Sequence, residues 1–142
     1  MNAPAFANEL DTYTAIQDMV ADRLLRPVDS ATVDDFLAPG RVHLLFFAGP
    51  RSVRREAHDV AVALREVLKD YAGVVDGALV SEEAAGGLTE RFRANATPCL
   101  VLLSGAEILE VIPRVRDWAE YAAAFRRYLG NAPSVASTGV TP

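Results

Sequence analysis

The chain predicts an α/β fold, a mixed central sheet with helices on both faces, preceded by an extra N-terminal helix. Three observations carry this expectation. Arg41–Arg54, RVHLLFFAGPRSVR, reads as a buried strand, a Gly-Pro turn and the start of a helix. Its apolar run is continuous rather than alternating, which suits a strand covered on both faces. Cys99–Leu103 (CLVLL) and Ile108–Ile112 flank Ser104-Gly105 and read as a hairpin. A parallel strand–helix–strand unit joined to such a hairpin gives a sheet of mixed direction, with helices to cover it.

The elements follow in order. Leu10, Tyr13, Ile16, Val20 and Leu24 step by three or four, one stripe of an amphipathic helix that Pro27 is expected to end. Pro27–Asp29 is expected as a short edge strand. Ser30 and Thr32 offer caps for a short helix through Val33, Phe36 and Leu37, stopped by Pro39-Gly40. After the central strand, Val53, Ala57, Val60, Ala61, Leu64, Val67, Leu68 and Tyr71 form one face of a long helix that stops at Gly73. Val74–Val80 is a second strand, expected to break at Asp76-Gly77. Gly86-Gly87 precedes a short helix carrying Leu88 and Phe92, and Asn95–Pro98 ends it. Asp117 and Glu120 form a capping box for the last helix. Its expected apolar stripe is Trp118, Tyr121, Ala122, Phe125 and Leu129. This divides the chain into an acidic N-terminal helix or arm (1–26), one domain (27–130) and a disordered tail (131–142).

Composition narrows the function. A chain of 142 residues, 51% apolar, fits one domain with a real core. The single cysteine, Cys99, forms no internal disulfide and favours a reducing compartment, so the cytoplasm is expected. The start of the chain lacks the charged and apolar regions of a secretory signal, and no run approaches the roughly 18 apolar residues of a membrane span. Residues 1–38 hold seven acids and two bases, so the whole net charge of −5 sits there; the other 12 acids and 12 bases cancel. Nucleic acid is therefore not expected as a partner. The acids Asp11, Asp18, Asp22, Asp29, Asp34 and Asp35, with Glu82 and Glu83, suit either a solvated face or a basic peptide.

An arginine cluster, the cysteine and the histidines carry candidate chemistry. Arg51, Arg54 and Arg55 stand at a helix N-terminus, where the dipole disfavours cations. They either pair with nearby acids such as Glu56 and Asp59 or grip a carboxylate. Cys99 is either a buried structural residue or the nucleophile of a single-cysteine, thiol-dependent enzyme. His43 lies inside the central strand and reads as a satisfied structural residue. The only other histidine is His58, so no metal site is expected, and no cofactor.

The order of elements resembles the thioredoxin fold over about residues 27–130. Phe46-Phe47-Ala48 enters a Gly-Pro turn and a long helix, Thr97-Pro98 precedes the third strand where thioredoxins carry a cis-proline, and Ser104–Glu107 sits at the last hairpin. The redox pair is missing. Arg51 and Arg54 match the positions of the two cysteines, and neither can be a nucleophile, so no catalytic residue is expected. LLFFAGP at 44–50, ATPCLVLL at 96–103 and PRVRDWAEY at 113–121 are similar to the hydrogenase expression/formation proteins of the HyaE/HupG type. That resemblance implies a cytoplasmic chaperone for the small-subunit precursor of [NiFe] hydrogenases and its twin-arginine signal peptide, with other hydrogenase accessory proteins as further partners. A thioredoxin-like adaptor in another assembly is the alternative. The expected peptide-binding residues are Gly49, Pro50, Arg51, Ser52, Arg54, Thr97 and Pro98, with Asp11, Asp18 and Asp22 taking the basic part.

Overall fold

Side-chain alternation along the central strands sets the layers of this molecule. The computed structural model describes residues 14–131. The expectations for Leu10, Asp11 and Tyr13, and for the tail beyond residue 131, fall outside the described residues. The elements are α1 (residues 14–21), β1 (Arg26–Pro27), α2 (Val33–Phe36), β2 (Val42–Phe47), α3 (Arg54–Asp70), β3 (Val75–Val80), α4 (Glu82–Ala85), α5 (Leu88–Arg91), β4 (Cys99–Ser104), β5 (Glu107–Pro113) and α6 (Trp118–Leu129), with a 3-10 turn at Arg51–Val53 before α3. The sheet order is β1-β3-β2-β4-β5. β1, β3 and β2 run parallel, while β4 opposes β2 and β5 opposes β4.

The apolar run of β2 is continuous because it feeds two cores. Leu44 and Phe46 join Leu100 and Leu102 of β4 beneath α1, α3 and α6. Leu45 and Phe47 join Val101 and Leu103 on the other face, with Val33, Phe36, Leu88 and Phe92. α1 is held mainly by Ile16 and Met19, both fully buried with α3 and α6 residues. Each is worth about 1.5–3 kcal/mol of burial. The exposed pair between Asp22 and Arg65 (2.7 Å) adds about 1 kcal/mol or less.

Several local expectations are corrected. Pro27 plays no part in ending the first helix. The helix stops at residue 21 because Arg23 adopts φ +64 and Leu24 N–H donates to Met19 O (2.8 Å), with Arg23 N–H on Val20 O (3.1 Å), a Schellman ending. Neither Ser30 nor Thr32 caps α2. Asp29 Oδ1 accepts from the N–H groups of Ala31 and Thr32 (2.9 and 3.0 Å), and Thr32 Oγ1 accepts from Asp29 N–H (2.9 Å). Asp76-Gly77 does not break β3, which is continuous between β1 and β2. Gly77 is there because a Cβ would lie 2.6 Å from the Leu24 carbonyl oxygen. α4 has no counterpart in the expected order; its signal was Ser81, whose Oγ accepts from Ala84 N–H (3.3 Å). α6 carries the capping box at Asp117 and Glu120. Tyr121 and Phe125 are buried, but Trp118 is 49% exposed, so it is not part of the core stripe. β5, the far edge strand, is interrupted by a bulge between Leu102 and Leu103 of its partner β4.

Candidate functional site

Glycine at 49 brings the turn after β2 against the segment before β4. Gly49 has φ +84, and a Cβ there would lie 2.6 Å from Thr97 Cβ and 2.8 Å from Val53 Cγ2. Gly49, Pro50 and Thr97 are thus neighbours, as the sequence expectation required. The Thr97–Pro98 bond is cis, and Pro98 is buried while Thr97 is half-buried. Pro98 O accepts from Arg114 N–H (2.7 Å), which ties a third segment, residues 114–117, to the same place. Among the described residues, none hydrogen-bonds to the N–H or C=O of Thr97. Those two groups are an open backbone donor and acceptor beside a closed one.

Tyr121 holds the third segment in shape. Its hydroxyl accepts from Arg116 N–H (2.9 Å) and donates to Arg114 O (3.3 Å), while its ring is buried. Burial pushes the phenol up from its usual value, so it stays protonated and able to donate. Val115 (40% exposed) and Trp118 (49%) stand on this segment and at the start of α6. An exposed tryptophan near an open backbone edge is a natural contact point. Periodicity alone assigned it to the core; its position in the first turn of the helix was the signal that it could lie beyond the sheet.

Arg51 and Arg54 line a cavity of about 360 Å³ with Gly49, Pro50, Glu82 and Glu83. Neither arginine is without a partner of its own. Ser52 is exposed and does not line the cavity. A neighbouring cavity of about 460 Å³ shares Ile16, Leu79, Ser81 and Glu83 with it. Asp18 and Asp22 line neither cavity. Asp22 instead pairs with Arg65 of α3, and Asp34 with Arg91 of α5. The arginine lowers the Asp34 carboxyl, chiefly by its hydrogen bond.

Cys99 is 1% exposed and belongs to the core with Phe47, Phe92 and Val101. Burial pushes its thiol up from 9.0 to about 12, against a smaller opposite effect of a backbone hydrogen bond at Ile112. The thiolate is the reactive form. The expected result is that a disulfide reagent at pH 8 modifies the native chain about 10³-fold more slowly than the urea-denatured chain, since a pKa near 12 leaves about that much less thiolate. A native rate within tenfold of the denatured one would revive a thiol enzyme. Because the folded value is the higher one, the stability this group contributes is present below pH 9 and is lost as pH rises toward about 12.

His43 is fully buried in β2, its ring tilted against Phe36 (ring centroids 5.0 Å) and Nε2 2.8 Å from Ala38 O, but the expectation of a satisfied histidine is corrected at Nδ1, which has no hydrogen-bond partner among the described residues. Its Nδ1 lies 3.7 Å from Asp76 Oδ2, and Asp76 is held by Arg41 through two hydrogen bonds (2.7 and 2.9 Å). Among the described residues no group of three His, Cys, Asp or Glu side chains is placed to hold a metal, and no helix is long and apolar enough to cross a membrane.

Known proteins fit this geometry. The chain matches the family described as hydrogenase-1 expression protein HyaE over residues 15–121. It is 34% identical over 117 residues to the hydrogenase expression/formation protein HupG of Rhizobium leguminosarum bv. viciae, covering 79% of this chain and 78% of that one. A solved structure, the putative HupG of Rhodopseudomonas palustris, is 38% identical with a TM-score of 0.51, covering 73% of this chain and 94% of that one. A redox protein from Chlamydomonas reinhardtii superposes with a TM-score of 0.66 at 16% identity, over 77% of this chain and 36% of that one, which speaks to fold alone. The fold is thioredoxin-like, and the chain belongs to the hydrogenase-1 expression protein HyaE family.

Proposed function

We propose that this protein is a redox-silent, cytoplasmic accessory protein of [NiFe] hydrogenase maturation that holds an extended segment of the small-subunit precursor, its twin-arginine signal peptide included. The observation that supports this reading most is the open N–H and C=O of Thr97, set between the Gly49 turn and the Val115–Trp118 segment. A backbone edge of this kind accepts an extended chain by β-augmentation and needs no thiol. The partner is taken from the family; a buried, protonated Cys99 supports binding over catalysis.

The test is co-purification of the full chain with the small-subunit precursor, with and without its signal peptide. Binding to the complete precursor is expected, weakened at least tenfold when the signal peptide is removed. Trp118→Ala, at an exposed site that should leave folding intact, is expected to weaken binding by tenfold or more, the scale of an interface hot spot. A precursor that fails to bind the wild-type chain would overturn the proposal.

A further inference from the structure

A cavity of about 490 Å³ opens where β3 begins, at the end of the sheet opposite Thr97. Its apolar wall is Leu24, Phe36, Leu68 and Val75. Its charged lining is Asp22, Arg23, Arg26 and Asp76, two residues of each sign. The acids are already committed. Asp22 Oδ2 accepts from Arg65 Nη2 (2.7 Å), and Asp76 accepts from Arg41 Nε and Nη2 (2.7 and 2.9 Å). Arg41 Nη2 also donates to the carbonyl of Gly73 (3.3 Å), another residue of the lining. Arg23 and Arg26 have no such acid. Among the described residues neither guanidinium makes a hydrogen bond or an ion pair. Counted with their partners, the groups around the cavity are four arginines and two carboxylates, so two positive charges remain unanswered beside an apolar wall.

Two further observations single these arginines out. Residues 1–38 hold seven acids and two bases, and the two bases are Arg23 and Arg26. The fold brings both cations of an acidic stretch to one cavity. Arg23 also holds φ +64, a left-handed position after α1 where glycine is the unstrained choice. The turn itself gains nothing from an arginine there. We propose that this cavity binds a small organic dianion with an apolar body, a phosphate monoester by chemical class. Its phosphoryl oxygens lie on Arg23 and Arg26 and its apolar body against Phe36 and Leu68. Guanidinium forks match phosphate oxygens, and a phosphate monoester carries about two negative charges near neutral pH. The volume is that of a small-molecule site. The site is separate from the Thr97 edge and owes nothing to the peptide-binding reading.

Phenyl phosphate is the probe, titrated into the full chain and followed by backbone amide shifts in NMR spectra. Saturable shifts are expected at Gly73 and Gly77, both in the lining. Inorganic phosphate lacks the ring and benzoate lacks the second charge, and each is expected to bind about tenfold more weakly. Arg23→Gly and Arg26→Gln are each expected to weaken phenyl phosphate by about tenfold or more. Arg23→Gly should do so with Tm unchanged or raised, because glycine accepts the φ of that turn; an arginine kept for the fold alone would lower Tm and leave affinity unmoved. Arg93→Gly is the matched control. It removes the same charge from another exposed left-handed position (φ +62), one that does not line the cavity, and should leave affinity unchanged. Equal weakening by Arg93→Gly would reduce the effect to net charge and overturn the site. Full affinity in the Arg23 and Arg26 variants would overturn it too, as would equal affinity for inorganic phosphate or benzoate, or the absence of shifts at Gly73 and Gly77.

Discussion

Gly49→Ala should destabilise the protein by about 2–5 kcal/mol and lower Tm by roughly 10 °C or more. Two effects add. The φ of +84 costs an L side chain about 1–2 kcal/mol. The new methyl would sit 2.6 Å from Thr97 Cβ and Oγ1, and forcing it in costs about 1–3 kcal/mol more. Thermal melts of Gly49→Ala, Thr97→Gly and the double variant separate the two effects. Steric relief should appear as a coupling of about 1 kcal/mol or more, while the backbone cost remains in the double variant. A loss of less than 3 °C in the single variant would mean that the turn is not pressed against Thr97, and the neighbourhood of the two segments would lose its basis.

The second large effect is expected at Tyr121. Tyr121→Ala deletes a fully buried ring, about 3–5 kcal/mol by comparison with other aromatic truncations. It also leaves Arg116 N–H and Arg114 O without the hydroxyl they share. Against a total stability of about 5–15 kcal/mol, this loss is expected to lower Tm by roughly 10 °C or more. Tyr121→Phe isolates the hydroxyl: it keeps the ring and should cost about 1–3 kcal/mol. Its distinctive consequence is local. The Arg116 amide should exchange with solvent faster while amides of β2 and β4 stay protected, and precursor binding should fall more than stability alone accounts for. Unchanged exchange at Arg116 would show that the hydroxyl does not hold the 114–117 segment.

Elements whose signals are local were legible in the residues. β2 and β4 are apolar without alternation because two cores take opposite faces of each. α6 announces itself through a capping box three residues long in reach. What periodicity cannot convey is what covers a face. Trp118 has the spacing of a core residue with Tyr121 and Phe125, yet it stays half exposed in the first turn of its helix. Gly77 looks like a strand breaker until the Leu24 carbonyl is placed 2.6 Å from its missing Cβ. The same holds for the site. The meeting of Gly49 with Thr97 followed from the thioredoxin resemblance. The sorting of the acids did not, because it depends on pairs 43 and 57 residues apart, Asp22 with Arg65 and Asp34 with Arg91. Those pairings commit acids that the sequence offers as free.

The two borders of the sheet bear on how the protein stays monomeric in strand pairing. β1 is two residues long and contains Pro27, which offers no N–H. β5 carries Glu107 and Glu110, is offset by the bulge at Leu102/Leu103 and closes on Pro113. Neither border is a long, flat, uncharged ladder on which another strand could grow. A protein with an unsatisfied backbone donor and acceptor at Thr97 is at risk of pairing there with other extended chains, its own copies included. Blunted borders confine strand pairing to one short, half-buried place, so that pairing stops at one added segment instead of propagating from copy to copy.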